Sequence, residues 1–255
     1  MSQQESYEAT INVRHISTSP KARNQLPLAE AKRRAINNLR YITRSSATWD
    51  GDIIGHSEGI TMIANDPGDR RAAREMTMWA LEARARKHRH STGIRLADTL
   101  IVSLPRDATP AHHREMVANI LTSLGGDSDA WLIGAIHRDR AGNPHAHILA
   151  IDGLESEAAA RTRRPEAKRV RRADALRLNQ GGNRQDLRAR IAAEINAISD
   201  RERYRHAEVR SYKDRGIELT PSQHDGPKRR AIDRGLMPEG AESYAKPFSA
   251  TCIRQ

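Results

Sequence analysis

The sequence predicts an α+β fold on three observations. Runs of strand length, alternating or continuously apolar, occur at residues 8–16, 96–104, 130–137 and 145–151. Segments carrying one apolar stripe at helical spacing lie between and after them. The last two strands are joined by a connection short enough to make them an antiparallel hairpin.

In the first strand Ala9, Ile11 and Val13 alternate with polar neighbours. A helix opened by Pro27 follows and runs to about Arg44, with Ala31, Ala35, Leu39 and Ile42 in one stripe. Residues 45–69 are rich in Ser, Gly and Asp and read as a loop, with a turn at Asn65-Asp66-Pro67-Gly68. A second helix over 70–89 places Met76, Trp79, Ala80 and Ala83 on one face. Leu96 to Leu104 reads as a strand ended by Pro105. Thr109-Pro110 then opens a third helix through Met116, Ile120 and Leu124, stopped by Gly125-Gly126. Ala130 to His137 is nearly all apolar, as a strand buried on both faces must be. Ala141-Gly142-Asn143-Pro144 turns the chain into the strand His145 to Ile151. Beyond Gly153 the composition shifts. Residues 155–185 are rich in Arg and Ala with no clear period. A helix from Asp186 to about Tyr204 follows, with Leu187, Ile191, Ile195 and Ile198 on one side, and the remainder is turn-rich and polar. Three regions result: a core over 1–153, a basic flexible segment over 154–185, and a helical and irregular extension of the same domain over 186–255.

Composition narrows the function. The 255 residues carry 43 Lys and Arg against 32 Asp and Glu, a net charge of +11, so phosphate-rich polymers or anionic surfaces are the natural partners. No run approaches the ~20 apolar residues of a membrane span, and Met1 to Glu8 has no secretory pattern. The one cysteine, Cys252, excludes an internal disulfide and a cysteine-based zinc site. These features describe a cytoplasmic polyanion-binding protein.

The sharpest motif is His137, His145 and His147. Alternate strand residues share a face, so His145 and His147 point the same way. If the two strands pair across the turn, His137 lies opposite them, and three imidazoles converge as a divalent metal with open positions requires. Solvent-facing histidines at a strand end are the plain alternative for one such residue, less so for three. A metal beside a basic surface points to phosphodiester chemistry. Among five tyrosines, Tyr41 stands out. It lies about 200° around its helix from Leu39, in a polar face with Arg34, Asn37, Asn38, Arg44 and Ser45. A phenol of ordinary pKa, about 10, is a weak nucleophile and needs a metal or adjacent cations to act as one. A surface tyrosine near a helix end is the competing reading.

These residues resemble the MobA/MobL-type relaxases, the DNA-nicking enzymes of plasmid mobilisation within the HUH (His-hydrophobe-His) endonuclease superfamily. The resemblance rests on Ala135-Ile136-His137, on Asn143-Pro144-His145-Ala146-His147-Ile148, and on Tyr41-Ile42-Thr43-Arg44. Leu104-Pro105, Trp79 and pieces of the tail (Arg210-Ser211-Tyr212, Gly216-Ile217, Pro221, His224-Asp225-Gly226-Pro227) add to it. It implies a central antiparallel sheet with helices packed on one side and the histidine strands in the middle. It further implies that Tyr41 attacks a phosphodiester of single-stranded DNA at a transfer origin, leaving a 5′-phosphotyrosyl link. His137, His145 and His147 would hold Mg²⁺ or Mn²⁺. Accessory mobilisation proteins and a type IV coupling protein are the implied partners. The family's acidic residue on the neighbouring strand aligns with Thr99. Asp98 is one position away, and a one-residue offset turns it to the other face unless a bulge intervenes. Many relatives carry long C-terminal helicase, primase or coupling regions, so the chain reads as a minimal or truncated form.

Arg161, Arg163, Arg164, Lys168, Arg169, Arg171 and Arg172 crowd one stretch with only Glu166 opposing. Such a run is ordinarily a solvated segment; following the histidine strand, it reads as an arm that gains order on DNA. With 4% aromatic residues, grip on a single strand would be mostly electrostatic, helped by Trp131 or Trp79 where exposed. The alternatives are a replication initiator or transposase of the same superfamily, a catalytically inactive DNA-binding remnant, and a metal hydrolase of small molecules. Initiators often carry two tyrosines one helical turn apart, whereas positions 37 and 45 are Asn37 and Ser45.

Overall fold

In the computed structural model the described residues are 5–18, 27–87, 95–126, 128–138, 142–152, 183–210 and 213–216. Two units divide the chain, Met1–Val209 and Arg210–Gln255. In the second, a 3₁₀ turn spans Lys213–Arg215. The basic run 161–172, Tyr212 and Cys252 lie outside the described residues.

Within the first unit the strands are β1 (Ser6–Glu8), β2 (Ile11–Ser17), β3 (Ile53–Ser57), β4 (Ile60–Ala64), β5 (Arg95–Ser103), β6 (Trp131–His137), β7 (His145–Ile151) and β8 (His206–Glu208). The helices are α1 (Leu28–Ile42), α2 (Pro67–Lys87), α3 (Pro110–Gly125) and α4 (Asn183–Glu202). Six strands form one sheet in the order β2-β5-β7-β6-β3-β4, with every neighbour antiparallel. β1 and β8 form a separate parallel pair.

The α+β class and the antiparallel sheet stand as expected, but helices cover both faces rather than one. Ile53, Trp131, Ile133, Ala135, Leu149 and Ile151 meet α1 and α2 on one side. Ile54, Leu132, Ile136, Ala146, Ile148 and Leu100 meet α3 and α4 on the other. β6 is buried at all seven positions, and an apolar strand with no polar face has to be covered twice. The helix expected in a C-terminal extension therefore belongs to this core: Leu187, Ile191, Ile195 and Ile198 of α4 are all buried in it.

α1 buries the stripe its spacing predicts, Ala31, Ala35, Leu39 and Ile42. Burying Leu39 and Ile42 contributes about 1.5–3 kcal/mol each. α2 differs from expectation. Met76 and Trp79 are exposed, and the buried face is Ala73, Thr77, Ala80, Leu81 and Ala85. The reason is space: Trp131 from the sheet fills the gap beneath this helix and donates its indole N–H to Thr77 Oγ1 at 2.8 Å. Small helix residues fit above it, and a second tryptophan would not.

The stretch read as a loop holds a hairpin, β3–β4. Its turn is Glu58-Gly59, both at positive φ (49° and 74°), the backbone a two-residue hairpin needs. Gly55, His56 and Ser57 hide the strand from a pattern of apolar residues. His56 is fully buried, bonded to Thr61 Oγ1 and to the Gly126 carbonyl oxygen at 2.9 and 3.0 Å.

Candidate functional site

β6 and β7 pair so that His137 faces His145 directly, and Ala135 faces His147. All three imidazoles therefore stand on the α1 side of the sheet. Their ring centroids are 4.4 Å apart for His137 and His147, 5.0 Å for His145 and His147, and 5.4 Å for His137 and His145. One nitrogen from each lies within 4.8 Å of the others. His137 is fully buried and His147 is 9% exposed, while His145 sits at the mouth, partly exposed.

Backbone carbonyls orient two of these rings. His137 Nε2 is 2.8 Å from the Ile42 carbonyl oxygen, and His145 Nδ1 is 2.9 Å from that of Asn143. A carbonyl oxygen only accepts, so each of these nitrogens carries a proton, and in the neutral ring the opposite nitrogen keeps its lone pair. That is how ligand tautomers are set at metal centres. The Asn143 contact follows from the turn. Pro144, whose carbonyl accepts from Leu104 N–H at 3.0 Å, ties the β7 start to the end of β5.

The donor set fits a divalent cation. His137, His145 and His147, each offering one nitrogen within 4.8 Å of the others, could hold one such ion and leave further positions open to water or substrate. The set carries no negative charge. Thr99 is on the histidine face, opposite Leu149, with its hydroxyl donating weakly to the Arg14 carbonyl at 3.4 Å. Asp98 is not a neighbour of the site. β5 and β7 pair in regular register from Asp98–Ala150 to Ser103–His145, so no bulge turns its carboxylate round. It is buried on the far face, where His15 Nδ1 (2.5 Å) and Arg95 Nε (2.6 Å) bind Oδ1.

Tyr41 stands beside the cluster, half exposed, its ring centroid 5.5 Å from both His137 and His147. The Arg44 guanidinium lies over the same ring, 4.1 Å from its centroid, and donates to the Tyr41 carbonyl at 2.9 Å. Arg34, two turns before Tyr41 on the same side of α1, is exposed and forms a 3.6 Å ion pair with Glu30. The end of α1 is pinned by α2: Arg74 donates to the Thr43 carbonyl and, at 2.8 Å, to its hydroxyl, which itself donates to the Leu39 carbonyl. Arginine at this end satisfies carbonyls that the last helical turn leaves open.

Behind His137 lies a network that spacing in the sequence did not reveal. Asp52, fully buried, accepts from Arg138 (Nε to Oδ2, 3.1 Å; Nη2 to Oδ1, 3.2 Å), from Arg114 (3.2 Å) and from the Trp49 N–H (3.0 Å). Arg138 also donates to His113 Nδ1 at 2.7 Å, while His113 Nε2 donates to the Pro105 carbonyl at 2.7 Å. Burial, reinforced by the Arg138 charge and opposed by the Pro105 carbonyl, pushes the His113 pKa below its ordinary value. Nδ1 is thus kept free to accept. Residues 52, 114 and 138 lie far apart along the chain, and only an Asp-Gly-Asp beside a lone tryptophan hinted at this corner.

The two tryptophans named for stacking divide. Trp131 is buried and Trp79 is exposed on α2, whereas Trp49, in the segment between α1 and β3, is the most exposed of the three.

No curated protein matches the chain. A solved structure described as "Molecular Basis of Vancomycin Resistance Transfer in Staphylococcus aureus" shares the fold, with a TM-score of 0.51 and 15% identity over 81% of this chain and 100% of that one. The family model for the MobA/MobL family matches residues 56–235, which include all three histidines and begin after Tyr41. With well over half of its length matched, the chain belongs to the MobA/MobL family of mobilisation relaxases.

Proposed function

We propose that the chain nicks single-stranded DNA at a plasmid transfer origin by transesterification at Tyr41, as an HUH-type endonuclease. One observation carries the reading: the Tyr41 ring lies 5.5 Å from two members of a three-histidine cluster that is built on the two central strands. A phosphate seated at the histidines would be within reach of the phenol oxygen.

The chain's own groups account for most of the requirements. Arg44 and the pinned end of α1 hold the Tyr41 ring in place. His137, His145 and His147 would hold the cation, which when bound supplies Lewis-acid polarisation of a non-bridging phosphoryl oxygen. The phenol oxygen forms a bond to phosphorus as the bond to the 3′ oxygen breaks. The phenol proton leaves to solvent, and the departing 3′ oxygen takes up a proton. The product is a 5′-phosphotyrosyl link and a free 3′-hydroxyl. One phosphoester replaces another, so the reverse step can rejoin the strand after transfer.

Three imidazoles with no carboxylate favour Mn²⁺ over Mg²⁺, since Mg²⁺ prefers oxygen ligands. Arg34, Arg44 and the basic stretch containing Arg161, Arg163, Arg164, Lys168, Arg169, Arg171 and Arg172 would neutralise phosphates of the bound strand. Accessory mobilisation proteins and a type IV coupling protein would deliver the covalent complex, in the cytoplasm. No described helix is long and apolar enough to cross a membrane.

A specific observation favours a second reading: on its histidine face β5 presents Ala97, Thr99, Ile101 and Ser103 and no acid, as an inactive DNA-binding remnant would. One experiment separates the two. Labelled single-stranded oligonucleotides tiling the plasmid region around the gene are incubated with the protein and Mn²⁺, then resolved under denaturing conditions. A protein–DNA band present in wild type and absent in Tyr41→Phe supports the nuclease. Binding to the same oligonucleotides with no such band on any of them supports the remnant.

A further inference from the structure

Trp49 is 57% exposed, yet the backbone that carries it is fixed. Its N–H donates to Asp52 Oδ2 at 3.0 Å, and its carbonyl accepts from Asp52 N–H at 3.1 Å. The preceding Ala47 and Thr48 are buried, with the Thr48 hydroxyl donating to the Arg44 carbonyl at 3.0 Å. A tryptophan on a pinned segment has little freedom to fold back on the core, so its exposure is built in.

Its position relative to the site follows from hydrogen bonds to consecutive residues. The Ile42 carbonyl holds the His137 ring, and the Ala47 carbonyl accepts from the Arg138 N–H at 3.1 Å. Asp52 continues the β3–β6 ladder through its carbonyl to Ile136 N–H at 2.9 Å. Residues 42–52 thus run along the strand end that presents His137. The Arg138 guanidinium is 5.3 Å from the centre of the Trp49 ring and is locked on its other side by Asp52 and His113. An indole backed by a fixed cation, next to a phosphate-seeking centre on a protein of net charge +11, has the chemistry of a nucleobase platform. The nearby Asp50 carboxylate is paired with Arg70 at 2.8 Å, which lessens its repulsion of a phosphate. The other tryptophans offer no such setting: Trp131 is buried, and Trp79 lies on the outer side of α2.

Resting on the proposed nicking function, we infer that Trp49 stacks one unpaired base of the bound strand, a few nucleotides from the scissile phosphate, with Arg138 as its fixed backing. A base held there sets which phosphate reaches Tyr41.

The test uses the full chain and two fluorescein-labelled probes of equal length, oligothymidine and an abasic deoxyribose-phosphate strand, with affinities read by anisotropy at fixed salt. Wild type should prefer the base-bearing probe by about tenfold or more, the usual worth of one aromatic–base stack. Trp49→Ala should bind the abasic probe as wild type does and lose that preference, with its salt dependence unchanged because no phosphate contact is removed. Trp49→Phe should keep most of it, and circular dichroism checks that both variants are folded. A folded Trp49→Ala protein whose preference for bases matches wild type within twofold overturns the inference. The covalent band with origin oligonucleotides is scored in parallel on wild type. A wild type that forms no adduct yet shows the Trp49-dependent preference keeps the platform and loses the nicking function. A wild type that forms adduct but shows no Trp49 dependence does the reverse.

Discussion

His137 Nε2 donates to the carbonyl oxygen of Ile42, the residue that follows Tyr41, across 2.8 Å and ninety-five positions of sequence. The proposed nucleophile and the proposed metal ligand are thereby tied by one hydrogen bond through the last turn of α1. A shift of that helix end would move the phenol and retune the imidazole together.

Removing His137 should cost stability even without metal. His137→Ala leaves the Ile42 carbonyl without this donor in a buried setting, a loss of about 1–3 kcal/mol. His145→Ala, at the partly exposed mouth, should cost less than about 1 kcal/mol, because water can take over its contact with Asn143. Urea unfolding of the two apo variants checks this ordering, and equal losses would contradict it.

The metal preference can be read directly. Isothermal titration of apo protein should give tighter binding of Mn²⁺ than of Mg²⁺, and alanine at His147 should weaken Mn²⁺ binding by at least tenfold, the low end for disturbing such a site. Chelator should abolish the covalent band, and added Mn²⁺ should restore it. Mg²⁺ binding more tightly than Mn²⁺ would show that an unrecognised oxygen ligand completes the site.

Asp52→Asn should be severe. It leaves two arginines facing a neutral group, one of them nearly buried, and breaking a buried ion pair from one side costs about 3–5 kcal/mol. Arg114 is about a third exposed, so solvent recovers part of its loss and the lower end is expected. The denaturation midpoint measures it, and a change under about 1 kcal/mol would mean that the network is looser than its distances imply.

His113 should make stability fall in acid. Its folded pKa lies below 6.5, while the unfolded chain protonates near that value. The unfolded state therefore takes up the proton first. Stability is complete above about pH 7 and is lost as pH drops through 6.5 toward the folded pKa, by at most about 1.4 kcal/mol per pH unit. The difference in unfolding free energy between wild type and His113→Gln should shrink as pH falls over this window. A difference independent of pH would remove His113 from the titration.

Gly134→Ala tests how closely α3 lies on the sheet. A Cβ there would be 2.8 Å from Val117 Cγ1, closer than carbon atoms tolerate. A loss of about 1–3 kcal/mol is expected, and Val117→Ala in the same chain should relieve part of it. Thermal unfolding of the single and double variants decides.

Much of this molecule is legible residue by residue. α1 was readable because its buried face repeats at helical spacing, and β7 because its bounds are set by a Pro-containing turn and an apolar run. The histidine pair on one face follows from the alternation of a strand. The β3–β4 hairpin was not readable, because its glycine and histidine positions owe their places to Trp131 and Gly126 in other elements and to Thr61 across the hairpin itself. The same cause hid the buried face of α2.

The sequence by itself determined the chemical inventory: three histidines bracketing a turn, one tyrosine off an apolar stripe, and a strongly basic chain. These are local facts, set by side-chain type and by the periods of helix and strand. Only the tertiary structure decided that Tyr41 meets His137, that Asp98 faces away, and that Asp52 and Trp49 brace the same strand end. Such relationships depend on register and on packing between segments distant in the chain. No local period encodes them, since they exist only once the sheet is paired and its two faces are covered.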